Sequence, residues 1–301
     1  MIERIDHVMV VSAMSRLARR GGWARILAGK PLEDEIDLID AELLLEAGVL
    51  RRNQEQSLEP IHAHPWHYEP EALAAGTLSV LRQALDHAEG RDSGWSGQRL
   101  EVVVAQGRAS ASTATVIAED LLPRMPEAHA AFTSGRAVFL DVGVGIGAFA
   151  SRLCELHPGV SAVGLDVEQS VLDLAAAQLA AAQLSDRIEL RLESIADLAD
   201  MDTYDLAWMP QGFIPPVAFD PGLCAVHRSL RPRGWLLLLL AAAPSGSNAF
   251  QRALQTHSAH LSGGGPVEPL VMADRLRSIG FDQVSEICSG DQSLLLARRP
   301  A

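Results

Sequence analysis

Cysteine is scarce. Cys154, Cys224 and Cys288 are too few and too scattered for a disulfide framework or a zinc site, and their apolar surroundings suit reduced core thiols. No long hydrophobic run occurs either. The longest, Trp235 to Ala243, falls well short of the ~20 residues a spanning helix needs, and the first residues show no signal-peptide pattern, so a cytoplasmic protein is expected. Positive charge is short as well, with 25 Lys and Arg against 38 Asp and Glu and a net charge of -13. That balance disfavours nucleic acid and anionic membranes as partners and favours a small molecule. What is present is 301 residues at 48% hydrophobic, enough for a substantial core in one larger and one smaller domain.

The informative stretch is Val138-Phe-Leu-Asp141-Val-Gly143-Val-Gly145-Ile-Gly147-Ala148. Apolar, β-favouring residues reach a carboxylate, glycines follow at alternate positions, and a helical pattern continues through Phe149, Leu153 and Leu156. Glycines at a strand-to-helix turn let a ligand approach the backbone, and the helix start offers N–H groups to it. The spacing Gly143, Gly145, Ala148 also satisfies the relaxed dinucleotide fingerprint, so the glycines alone do not choose between NAD and other adenosine cofactors. Asp141 discriminates. A carboxylate there would repel a pyrophosphate but suit a cofactor carrying an ammonium group, such as S-adenosylmethionine. About twenty residues on, Asp166 ends a second strand, where a carboxylate accepts hydrogen bonds from a ribose diol.

From Asp141 to Gly147 the chain resembles the class I S-adenosylmethionine-dependent methyltransferases, whose first motif is an acidic residue followed by G-x-G-x-G. Ser229-Leu-Arg-Pro-Arg233-Gly234-Trp resembles the family's LRPGG turn, with Arg233 replacing a glycine. The resemblance covers roughly the C-terminal two-thirds. It implies an α/β, Rossmann-like sheet, mostly parallel, whose last strand is antiparallel, closed by a hairpin over Phe281–Ser289 and Gln292–Arg298. It also implies cofactor contacts from Asp141, Gly143, Gly145, Gly147, Asp166 and Val167. Glu193, Ser194 and Ile195 follow the third strand and border the adenine, and Gln106 or Arg108, ahead of a helix over Ser110–Met125, meets the cofactor carboxylate. Trp208, Met209, Gln211 and Phe213, at the exit of the fourth strand, face the sulfonium or the acceptor, where an aromatic ring can attract a cation. His257 and His260 occupy the region where plant-type O-methyltransferases carry a catalytic histidine, without the usual neighbours. The N/D-P-P-Y/F signature of amino- and nucleobase-directed enzymes is absent, so carbon, nitrogen and oxygen acceptors stay open.

Ahead of this domain, helices are expected over Ile5–Arg20 and Glu35–Ala47, the latter with Ile36, Ile39, Leu43 and Leu44 on one buried face. Val49-Leu-Arg-Arg52 and Ser57-Leu-Glu-Pro60 form a small wing. This pattern resembles the degenerate winged-helix domain of small-molecule methyltransferases, placed at residues 1–105 with the catalytic domain at 106–301, and implies a homodimer and a substrate cover. Seven acids between Glu33 and Glu46 oppose a DNA-binding role for that helix. His62, His64 and His67 cluster around Pro65, which favours a loop over a metal site, and no metal is expected. The expected activity is methyl transfer to a small molecule in specialised metabolism. The rivals are an S-adenosylmethionine-dependent cyclase or aminocarboxypropyl transferase, and a non-catalytic regulator that senses the cofactor.

Overall fold

The computed structural model describes residues 2–61, 70–90, 95, 98–289 and 292–301. The chain forms two compact units, residues 1–91 with 99–113 and residues 92–98 with 114–301. His62, His64 and His67 lie outside the described residues.

The first unit is built from α1 (Ile2–Arg20), α2 (Gly22–Leu27), α3 (Glu35–Glu46), a hairpin of β1 (Leu50–Arg52) and β2 (Leu58–Pro60), α4 (Pro70–Ala88) and most of α5 (Leu100–Val116). Leu17, Trp23, Ile26, Ala41, Leu44 and Leu50 centre its core. Asp34 caps α3 by accepting from the N–H groups of Ile36 and Asp37. The inward face of α3 differs from the expectation. Ile36 and Ile39 are exposed, whereas Asp37 and Asp40 are buried because α1 supplies their counter-ions: Arg20 bonds Asp37 at 2.9 Å and Arg16 bonds Asp40. Of the expected apolar face Leu44 is buried and Leu43 half-buried, so periodicity marks that end of it and misses the acids that pair with arginines on another helix.

The segment Gln106-Gly107-Arg108 also departs from its expected loop. It lies in the middle of α5, which starts ten residues earlier than the expected helix, so the boundary placed at 105/106 falls inside a helix and the units divide at 113/114. Alanines at 105, 109, 111 and 114 are strong helix formers, and they outweigh the roughly 1 kcal/mol that one internal glycine costs. Past Val116 the helix relaxes into a π-turn over Ile117–Leu121 and a 3-10 turn over Leu122–Arg124 before α6 (Pro126–Thr133).

The second unit continues with β3 (Val138–Val142), α7 (Ala148–Leu156), β4 (Ser161–Asp166), α8 (Gln169–Ala181), β5 (Ile188–Leu192), β6 (Tyr204–Pro210), α9 (Pro216–Ser229), β7 (Leu230–Leu239), α10 (Ala249–Ser262), α11 (Pro269–Ile279), β8 (Asp282–Ser289) and β9 (Gln292–Arg298). These strands make one sheet in the order β5-β4-β3-β6-β7-β9-β8. β3 to β7 are mutually parallel, and β9 runs antiparallel to both its neighbours. This is the mostly parallel, Rossmann-like arrangement that the motifs imply, with helices covering the sheet so that central strands such as β7 are apolar on both faces. Leu140, Val142, Tyr204, Met209, Phe219 and Leu236 belong to the core on one side of it. α9 begins at Pro216, a first helical position that tolerates proline, and carries Pro221 in its interior.

β7 opens on the turn that resembles LRPGG. Arg233 there has φ of 67°, the left-handed region, and its N–H bonds the carbonyls of Arg299 and Pro300. A side chain in that region costs about 1 kcal/mol or more, which glycine avoids. Arg233→Gly is therefore expected to raise the midpoint of chemical unfolding by an amount worth about 1 kcal/mol. An unchanged or lower midpoint contradicts the strain.

Candidate functional site

Open parallel sheets bind ligands beyond the carboxyl ends of their strands, beside the point where strand order reverses. Here that point is β3, flanked by β4 and β6, and the turn after it holds three glycines at positive φ. Their roles differ. A Cβ on Gly143 would meet nothing within 4 Å and one on Gly145 only the Gly143 carbonyl at 3.9 Å, so the surface above both is open. A Cβ on Gly147 would instead lie 3.5 Å from Ala175 and 3.7 Å from Leu179, because α8 packs there.

The turn uses its own donors. Gly143 and Val144 both donate to the Leu165 carbonyl at 2.9 Å, Gly145 donates to Asp166 Oδ2 at 3.0 Å, and Gly147 donates to the Val144 carbonyl at 2.9 Å. Those four N–H groups are used inside the fold.

Asp141 closes the inner wall. Register sets it level with Gly164 on β4 and Trp208 on β6, and strand alternation puts all three on the face that carries Phe139. Its carboxylate is 1% exposed, and Oδ2 has no hydrogen-bond partner. Burial first, and the nearby Asp166 second, push its pKa up to about 8, against the pull of the Ala150 N–H. Asp166 is also raised, again chiefly by burial, while the N–H groups of Glu168, Gly145 and Val167 favour its charged form. Its Oδ1 accepts from Glu168 at 3.0 Å, so each of its oxygens braces backbone and keeps a lone pair for a ligand.

Around this centre the expected site residues separate into two groups. Val167 is exposed next to Asp166. Glu193 lies just past β5, its carboxylate 4.0 Å from Arg191, and Ser194 accepts from the Ala196 N–H as the cap of a short turn. Ile195 and Met209 turn inward: both belong to the buried core, and a Cβ on Gly222 would meet them at 2.8 and 3.4 Å. Trp208 is buried and stacks on Phe149, centroids 5.1 Å apart and planes 12° from parallel. Phe213, half-buried, meets Trp95 at 4.6 Å between centroids.

Gln211 faces away from solvent. It is 1% exposed, with Oε1 accepting from Ala241 N–H at 3.0 Å and Nε2 donating to the Gly265 carbonyl at 2.8 Å, so the expectation that it touches an acceptor is corrected. His257 and His260 are exposed on α10. Gln106 and Arg108 belong to the first unit. His227 is packed edge-on against Phe281.

Two contributors escaped the sequence reading. Gly164 is one. A Cβ there would lie 2.6 Å from Val144, so the missing side chain lets the glycine turn fold back beside Asp141. A lone glycine inside an apolar strand signals such a close approach. Trp95 is the other, and its polar surroundings gave no cue. Among the described residues no cluster of three or more His, Cys, Asp or Glu is arranged to hold a metal, and no helix is long and apolar enough to cross a membrane.

Residues 139–234 match the family described as a methyltransferase domain. A curated relative, the release factor glutamine methyltransferase of Rhodopirellula baltica, is 29% identical over 127 residues, 42% of this chain; the chain spans 41% of that protein's length. Among solved structures, an O-methyltransferase family protein from Burkholderia thailandensis aligns with 100% of this chain and 97% of its own, at TM-score 0.59 and 14% identity. CalO1, a methyltransferase in calicheamicin biosynthesis solved with S-adenosylhomocysteine bound, aligns with 100% of this chain and 97% of its own, at TM-score 0.58 and 18% identity. Likeness at these identities establishes a shared fold.

Two measurements test the site's physics without a ligand. Gly164→Ala is expected to lower stability by roughly 1–3 kcal/mol in chemical unfolding, the usual cost of overpacking; no loss means that Val144 has room to move. Asp141 binds its proton more tightly folded than unfolded, where its pKa is 3.8, so its contribution is fully present below that pH and is lost as pH rises toward and past about 8. Asp141→Asn should accordingly lose less stability than the parent across that window. Parallel stability curves for the two proteins would contradict the buried, unpaired carboxylate.

Proposed function

Because residues 139–234 form a methyltransferase domain and the chain has the class I methyltransferase fold, we propose that the protein transfers the methyl group of S-adenosylmethionine to a small-molecule acceptor. The observation that carries this reading is Asp141. A buried carboxylate with an unpartnered oxygen suits a cation and opposes a phosphate. The open surface above Gly143 and Gly145 admits close approach, and Asp166 has lone pairs for the hydroxyls of a ribose. Asp141, Gly143, Gly145, Asp166 and Val167 would therefore hold the cofactor, with Glu193 and Ser194 assigned to the adenine side.

When bound, the cofactor supplies an electrophilic methyl group on a sulfonium, open to in-line displacement. The task left to this chain is to position the acceptor and keep water away, since near-attack geometry supplies much of the rate in such reactions. The stacked pair Phe149 and Trp208 walls one side of the Asp141 position, and Phe213 with Trp95 stands past the exit of β6. A general base is needed only where the acceptor must lose a proton, and His257 and His260 are the candidates for that role. Residues Met209-Pro-Gln-Gly-Phe213 stand where the N/D-P-P-Y/F signature would be, which argues against the amide-directed chemistry named for the Rhodopirellula relative. The neighbour in calicheamicin biosynthesis is the support for an acceptor from specialised metabolism.

The first unit is assigned to dimerisation and to covering the acceptor. Its small helices and two-stranded hairpin suit a degenerate winged helix, and α3 leaves Ile36, Leu38 and Ile39 exposed for a second copy.

Isothermal titration with S-adenosylmethionine, S-adenosylhomocysteine and NAD in parallel tests the reading. The first two should bind and NAD should not. Asp141→Ala and Gly145→Val should each weaken binding by about tenfold or more, as loss of a charge-assisted hydrogen bond or filling of the turn requires. NAD binding, or wild-type affinity in both variants, overturns it. During turnover the released product should be S-adenosylhomocysteine; methylthioadenosine would instead indicate transfer of the aminocarboxypropyl chain.

A further inference from the structure

β7 ends at Leu239, and the chain between Ala241 and Gly265 forms α10 before α11 leads back to the sheet at β8. One side chain ties both ends. Gln211, at the exit of β6, accepts from the Ala241 N–H and donates to the Gly265 carbonyl. The two fixed points are extended on the outgoing side by Ser245 N–H, bonded to Glu286 at 3.0 Å, and on the returning side by Gly264, where a Cβ would stand 2.8 Å from the backbone of Gln211 and Gly212.

Between these anchors the chain is built to move as a body. Gly246, φ 86°, and Gly263, φ 83°, stand at either end of α10, and a Cβ on Gly246 would meet nothing within 4 Å. The helix is self-contained: Asn248 and Gln251 exchange backbone-to-side-chain hydrogen bonds at 2.9 Å in a capping box. Among its described side chains Ala259 is the one that is fully buried, while Phe250 is 75% and Leu254 49% exposed. Few buried apolar contacts make local opening inexpensive.

We infer that Gln211 is a positioning residue, the clasp at the neck of a hinged arm over residues 246–263 that sets where α10, with His257 and His260, stands relative to the end of β6. The amide is suited to this because it donates and accepts at once across one buried point, which neither a carboxylate nor an alkyl group can do. The consequence for catalysis rests on the methyl-transfer reading. The clasp itself does not.

Hydrogen exchange on the full chain without ligand, for the parent, Gln211→Leu and Gln211→Glu, tests the clasp, and titration with S-adenosylhomocysteine accompanies it. In Gln211→Leu the amides of 246–263 should exchange about tenfold faster or more, the loss expected for two modest hydrogen bonds, while β3 to β6 exchange as in the parent. S-adenosylhomocysteine affinity should stay within about twofold, since one missing clasp moves the arm and not the glycine turn. Gln211→Glu should match the leucine variant at high pH and approach the parent at low pH, because only the protonated carboxyl has a hydrogen to give to Gly265. Unchanged exchange over 246–263, equal loosening of the whole sheet, or no recovery of the glutamate variant at low pH overturns the clasp. Failure of the parent to bind S-adenosylhomocysteine overturns the methyl-transfer reading and leaves the exchange result to decide the clasp by itself.

Discussion

The carboxyl edge of this sheet depends on how the turn after β3 satisfies itself. Leu165 takes two of its N–H groups through one carbonyl and Asp166 takes a third through its side chain, so two residues at the end of β4 lock the turn in place before any ligand arrives. Beside the turn a buried side-chain acceptor is left without a partner, Asp141 Oδ2.

The same logic explains the size of the residues nearby. Val144 folds back over Gly164, and any larger residue at 164 would push the turn away from β4 and break the bonds to Leu165 and Asp166. On the opposite flank Trp208, level with Asp141, stacks on Phe149, and neither ring supplies a counter-charge. A raised pKa is the electrostatic record of that enclosure.

Much of this was legible in the sequence, and the parts that were not share a cause. The glycine turn, the strand ending at Asp166 and the closing hairpin are local patterns, each written within a few consecutive residues. The inward face of α3 was misread because Asp37 and Asp40 are buried by arginines on α1, and Gln211 was misread because its partners, Ala241 and Gly265, are 30 and 54 residues away. Periodicity marks a residue's chemistry but not the pairing that a distant segment provides. Gln106 and Arg108 lie within α5 rather than ahead of a helix, because the run of alanines around Gly107 carries the helix straight through.

The placement of β9 bears on how the protein is made. β9 follows β8 in the chain yet lies inside it, between β8 and β7. As synthesis proceeds, β7 emerges more than fifty residues before the strand that covers its flank, and Leu236 to Leu239 would stand meanwhile as an unpaired apolar edge. An edge of that kind invites pairing with other chains. The order of strands therefore imposes an interval of vulnerability on every nascent copy, during which the ribosome or a chaperone must shield what the finished sheet later hides.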